Sequence, residues 1–336
     1  MASRNGWRLA AAATATALLL TACGGGDGEG EAAGASGAEA EGTSTISIAT
    51  VAGDSGAQGF LADEKGFFEA NGLDVEVKIV AGVPELAAAV QSGDAAFALT
   101  SPASVAAASS SGIPFQIVAG GVLYTEERPG VWLMVADQAT DVESIEDLEG
   151  KSVAVNALNT MPHLSTLAAL DDAGVDVSTV SFVTLNFPAI GQALESGQVP
   201  AGTVVSPFTH QQEASGIASR LVSPYDAVNG GEDWLNTVWF GREDFIADNP
   251  GTVEKFQAAL RDTNAWANDE ANEDERKKIL QAYTDLPDEA LAALELSPYG
   301  DHVTPELIQP VLDVMFRFDA LEKKMSAKDI LAPGLD

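Results

Sequence analysis

Cysteine and basic side chains are what this sequence has least of. One cysteine, Cys23, stands in 336 residues. With a single thiol, and that one near the N-terminus, no intrachain disulfide, cysteine metal site or cysteine nucleophile is available to the body of the chain. Histidine is nearly as scarce. His163, His210 and His302 are scattered and match neither HExxH nor HxH spacing, so no metal is expected. There is no Walker A loop, no GxGxxG and no GxSxG, so no cofactor is expected either. Lys and Arg total 17 against 50 Asp and Glu, a net charge of −33. A chain this acidic lacks the basic surface that nucleic acid requires, and charge alone would not hold it on anionic lipid. Ionic screening over about 8 Å leaves local donors in control of any one site, so an anionic ligand stays open.

The N-terminus reads as a signal peptide over residues 1–22. Arg4 and Arg8 form its positive end and Leu9 to Leu20 its apolar stretch, which is short for a membrane span. Leu20-Thr21-Ala22-Cys23 resembles the lipobox of bacterial lipoproteins. That resemblance implies cleavage before Cys23 and lipid attachment at its thiol. Residues 23–44 follow as a disordered acidic linker on the lipid anchor, rich in Gly, Ala, Glu and Ser and too poor in apolar side chains to fold.

The body, residues 45–336, alternates strands and helices. Lys151–Leu164, KSVAVNALNTMPHL, gives a short buried strand, a polar turn and a helix that ends near Gly174, with Thr160 as its expected N-cap. Two stretches repeat one construction. Residues 84–104 and 188–209 each carry a helix closing at Ser-Gly (Ser92-Gly93, Ser196-Gly197), then an apolar strand, then Ser-Pro opening a new helix. Two such units about a hundred residues apart point to two similar lobes. STISIATV and LDVEVKIV read as the opening strands of a mostly parallel sheet. The polar break Glu126–Gly130 marks one connection between lobes, and 221–226 the return. The expected fold class is α/β: two doubly wound lobes joined by a two-segment hinge, with a helical C-terminal part. Lobe 1 is assigned 45–127 and 224–336, and lobe 2 128–223. Strand-to-helix turns are where open α/β folds place ligands, which singles out Asp54 and its neighbours. His163 and His210 lie close enough to expected helix starts to donate to a ligand.

GFFEANGLDVEV, AAVQSGDAAFAL, LEGKSVAVNALNT, FPAIGQALESGQV and SPF, taken together, resemble the solute-binding proteins of bacterial ABC importers. The nearest group is the nitrate/sulfonate/taurine-binding family, with its thiamine-pyrimidine-binding relatives, over about Ile46 to Leu331. The resemblance implies a type 2 periplasmic-binding-protein fold with a ligand between the lobes. Carried over by position, ligand contacts fall on Thr50, Asp54, Thr100, Ser101, Asn156, Asn159, Thr160, Ser206 and Phe208, with Tyr124 or Trp239 as an aromatic wall. It further implies an exported monomer, anchored to the outer face of the cell membrane through Cys23, that captures a small polar solute for an ABC permease. The solute is left open between a sulfonate-, nitrate- or taurine-like oxyanion and a thiamine-pyrimidine-like heteroaromatic. VPAGTVV departs from the family's usual run there and lacks an expected aromatic and an acid. The related yeast thiamine-pyrimidine synthase carries a cysteine-rich motif absent from this body, which speaks against a catalytic role. The alternatives are an extracellular enzyme on the same fold, or a solute sensor or scavenger.

Overall fold

The computed structural model describes residues 43–284, 288–292 and 294–335. The expected signal peptide, Cys23 and most of the acidic linker lie outside the described residues. The chain opens with β1 (Ser44–Val51), α1 (Gln58–Glu64), α2 (Phe67–Ala70), β2 (Leu73–Val80), α3 (Val83–Ser92), β3 (Phe97–Thr100), α4 (Pro102–Ser110) and β4 (Phe115–Gly120). A short strand, β5 (Leu123–Tyr124), leads across to β6 (Val131–Ala136), β7 (Ser152–Val155), α5 (Met161–Asp172), β8 (Ser181–Thr184), α6 (Phe187–Glu195), β9 (Ala201–Val205), α7 (Phe208–Ala214) and β10 (Ala218–Val222). The return runs through α8 (Asp226–Asn229), β11 (Trp234–Leu235) and β12 (Val238–Arg242). Helices then dominate: α9 (Glu243–Asp248), α10 (Pro250–Ala267), α11 (Glu273–Ala282), α12 (Asp288–Ala292) and α13 (Pro305–Arg317).

Two five-stranded sheets result. The first has the order β2-β1-β3-β12-β4 and the second β10-β6-β9-β7-β8, while β5 and β11 pair by themselves. β1, β2 and β3 are mutually parallel, as the helical crossovers require. β12 runs antiparallel to both β3 and β4, and β6 antiparallel to β9 and β10. Both reversed strands follow a crossing between sheets.

Strand alternation sorts the core into layers. Ile48 faces one cluster with Phe97, Leu99 and Phe256, while its neighbour Ala49 faces another with Leu86, Val90 and α13. The second cluster continues through Tyr124, Tyr225 and Trp234 to Met161 and Leu164 of α5, so apolar packing joins the two sheets' surroundings on that side. Leu133, Val153 and Leu170 cover one face of the second sheet, and Met134, Ile190 and Val204 the other. Phe60, Leu61 and Phe68 are buried, while Phe67 is only half-buried. α1 and α2 are separated at Gly66, whose φ of 72° is the left-handed conformation that glycine enters without cost.

The two Ser-Pro sites differ. Ser101 caps α4 and accepts a hydrogen bond from the Ser104 amide at 3.2 Å. α7 instead starts at Phe208, with Pro207 in the N-cap place and no side-chain cap. Thr160 does occupy the N-cap of α5, but its hydroxyl makes no capping bond. The hydroxyl turns back instead, donating toward Asn156 Oδ1 and the Ala157 carbonyl, each at 2.9 Å.

Candidate functional site

A cavity of about 710 Å³ opens where elements of both sheets converge. The β1–α1 turn (Ala52–Ser55), the 122–124 segment and Asn236–Thr237 line it from the side of the first sheet. Val205 to Phe208, Phe187 and Gln211 line it from the second, and Arg128 to Val131 from the connector between them. Its walls are largely apolar. Phe187 and Phe208 stack with centroids 6.0 Å apart, and Tyr124 and Tyr225 meet edge-on at 6.1 Å. A family-like aromatic was missing from the VPAGTVV strand; Phe187 and Phe208 supply the aromatic surface beside Val205 instead.

Two charged side chains line the cavity among the described residues, Asp54 and Arg128. Asp54 is held from behind. Its Oδ1 accepts from Arg276 Nη2 at 3.1 Å, and its Oδ2 from the Ser297 amide at 2.9 Å. Arg276 is 2% exposed. It also donates to the Ser297 carbonyl at 2.7 Å, and its guanidinium lies 4.5 Å from the Tyr299 ring centroid. Burial pulls its pKa down, but Tyr299 and Asp54 more than offset this and leave it above the ordinary arginine value. Arg128 is far less committed. One N–H reaches the Leu296 carbonyl at 3.3 Å, and Glu270, with an 86% exposed side chain, stands 3.7 Å away.

Tyr124 donates its hydroxyl to Asp226 of α8 in a very short contact. Burial first, and then that carboxylate, push its phenol pKa far up, and burial does the same to Tyr225. Both phenols therefore stay protonated. Ser206 Oγ is buried beside the cavity with no hydrogen-bond partner among the described residues. Those residues hold no group of His, Cys, Asp and Glu able to bind a metal, and no helix long and apolar enough to cross a membrane.

Asp54, Tyr124, Ser206 and Phe208, of the expected contacts, are brought together here. Thr50 is fully buried beneath the turn, with its hydroxyl donating to the Gly56 carbonyl at 2.9 Å. Thr100 is buried at the end of β3. Ser101 serves as the α4 cap, and Asn156, Asn159 and Thr160 form a self-bonded turn in which the Asn159 N–H donates to His163 Nδ1 at 3.1 Å. None of these lines the cavity. Trp239 requires correction as an aromatic wall. It is 0% exposed. Its Nε1–H donates to Gln58 Oε1 at 2.6 Å, and Gln58 in turn donates to Asn264 Oδ1 at 2.6 Å. On β12, between β3 and β4, its side chain points into the core against Phe256. Of the histidines, His163 is buried, which lowers its pKa. His210 sits in a cluster with Arg220 and Glu295 instead of facing the cavity.

Arg128, Tyr225 and Phe187 escaped the sequence argument. Arg128 and Tyr225 carried a usable signal, because both stand in the two inter-sheet connections, and pockets favour junctions between structural units.

Two α/β layers joined by a double crossing, with a cavity at the junction, define the periplasmic-binding-protein class of fold. The aliphatic sulphonate binding protein SsuA of Escherichia coli superposes with a TM-score of 0.71 at 16% identity, over 87% of this chain and 98% of its own. The desulfurization enzyme DSZB does so with a TM-score of 0.62 at 16% identity, over 87% and 97%. The chain belongs to the family described as NMT1/THI5 like, whose sequence model matches residues 57–273. The taurine-binding periplasmic protein of Escherichia coli (strain K12) is 32% identical over 117 residues, 35% of this chain and 35% of that relative. The match thus spans about a third of the relative's length.

Proposed function

We infer that the protein is an extracytoplasmic solute-binding subunit of an ABC importer, which captures a small solute in the cavity and delivers it to a membrane permease. The observation carrying this is that the cavity draws its walls from both sheets and from the connector between them. A ligand held there contacts every part that moves when two lobes close, so its binding free energy biases closure. The taurine-binding relative and the sulphonate-binding neighbour support a sulfonate- or taurine-like solute; an oxyanion such as nitrate and a thiamine-pyrimidine-like heteroaromatic fall within the same reading. Lobes of 45–127 with 224–336, and 128–223, fit the strand membership of the two sheets. Lipidation at Cys23 and action as a monomer on the outer face of the cell membrane complete the proposal. The rival is an enzyme, since DSZB shares the fold. The cavity lining favours binding: among the described residues one carboxylate lines it, with both oxygens engaged, and no histidine accompanies it.

Thermal unfolding of the full chain tests this against a panel of alkanesulfonates, taurine, nitrate, bicarbonate, thiamine pyrimidines and riboflavin-like heteroaromatics. A ligand at a hundred times its Kd adds about 2.7 kcal/mol to stability. The expected result is a saturable rise in Tm with one class, the compound being recovered unchanged by mass spectrometry. Recovery of a converted product would favour the enzyme.

A further inference from the structure

We propose that the cleft selects a molecule with an aromatic or otherwise apolar body and a single anionic head, Arg128 holding the head and Phe187, Phe208 and Tyr225 the body. This rests on the solute-binding reading and narrows it by three observations.

The first is the lining. The stacked Phe187 and Phe208, with Tyr225, Val131 and Val205, line a cavity of about 710 Å³, a size suited to a drug-sized molecule. An ion as small as nitrate would leave those faces wet and gain nothing from them. A planar apolar body covers them and stacks on the aromatic rings.

The second is the charge. Asp54 is the one carboxylate lining the cavity among the described residues, and Arg276 and the Ser297 amide occupy its two oxygens. The Asp54 charge is thus already paired by Arg276, so among the described lining residues a ligand ammonium meets no uncompensated carboxylate, which disfavours an amine-bearing zwitterion such as taurine. Among the described lining residues, the balance left is the positive charge of Arg128.

The third is the state of Arg128 itself. Its side chain is 40% exposed; Glu270 is a distant and solvated partner, and Glu273 acts on it only through space, with no ion-pair contact. The planar fork keeps N–H groups uncommitted, a geometry matched to a sulfonate or carboxylate. Because Arg128 stands on the connector between the sheets, the head group would be read at the hinge.

Calorimetric titration of the full chain tests this with 2-naphthalenesulfonate, 2-naphthoate, neutral 2-naphthol, taurine and nitrate. The two naphthalene anions should bind saturably at one site, with taurine and nitrate weaker by about tenfold or more. Arg128→Gln should weaken the anions by about tenfold while leaving 2-naphthol unchanged. Phe208→Ala should weaken all three naphthalene compounds. Phe316→Ala, which removes a ring 41% exposed and outside the cavity, should change nothing. Taurine or nitrate binding as tightly as the aryl anions would overturn the class and leave the solute-binding reading standing. Aryl anions that bind equally well to Arg128→Gln and Phe208→Ala would be adhering elsewhere, and would also overturn it. Silence from every naphthalene probe overturns it too; if the wider thermal panel is flat as well, the solute-binding reading falls with it.

Discussion

Replacing Asp54 by alanine should cost far more than its place on a cavity wall suggests. Asp54 and Arg276 are 11% and 2% exposed at the side chain, so neither charge has much access to water. Removing the carboxylate strands the guanidinium, which keeps only the Ser297 and Ala267 carbonyls and the Tyr299 face. Breaking a buried pair from one side costs about 3–5 kcal/mol, and the freed Ser297 amide adds about 1 kcal/mol if it stays unpaired. Replacing both partners with apolar groups removes the stranded charge. Asp54→Ala with Arg276→Met should therefore recover about 2–4 kcal/mol relative to Asp54→Ala alone. Urea titrations followed by tryptophan fluorescence, run on wild type, both single variants and the double variant, measure the coupling. Strictly additive single effects, or a cost below about 1 kcal/mol for Asp54→Ala, would refute the view that this pair fastens the β1–α1 turn to α11.

Alkaline titration offers a second test. All four tyrosines, Tyr124, Tyr225, Tyr283 and Tyr299, have phenol pKa values raised above the ordinary one, with burial the first cause in each. The unfolded chain ionises them near about 10, so their contribution is intact below that pH and is lost as pH climbs toward the folded values. Ultraviolet titration should show tyrosinate appearing together with unfolding; a smooth titration of the folded protein at the ordinary value would contradict this. Trp239→Phe should destabilise the fold by about 1–3 kcal/mol, by leaving Gln58 Oε1 without its donor, and should leave ligand affinity unchanged. Chemical denaturation and titration of the same variant check both halves.

Local signals in the sequence carried much of the fold. β1 and β2 were legible from alternation, α4 from Ser101-Pro102, and the crossings from the polar break before Val131 and the turn at Pro224–Tyr225. These depend on neighbours in the chain. The site depends on partners far apart in it: Asp54 finds Arg276 across 222 positions, and Tyr124 finds Asp226 across 102. Alternation places Trp239 on one face of its strand, but whether that face meets solvent or α10 is settled by tertiary packing. Thr160 looked like a cap because its residue type suits one, but its hydroxyl is drawn back to Asn156 Oδ1 and the Ala157 carbonyl.

The position of β12 governs the order in which the protein can assemble. The second sheet is built wholly from residues 131–222, so a chain emerging N-terminus first holds every strand of it once Val222 is out. The first sheet has a gap between β3 and β4 that only residues 238–242 can fill. The strands made first are thus completed later, and their edges stay unpaired while the inserted unit is synthesised. At about 5–20 residues per second that delay lasts several seconds. Gly241, where a Cβ would stand only 3.0 Å from the Phe97 ring and 3.1 Å from the Ala96 carbonyl, lies in that closing strand. A fault there would leave the oldest part of the chain waiting, with its β3 and β4 edges open to any other strand that passes.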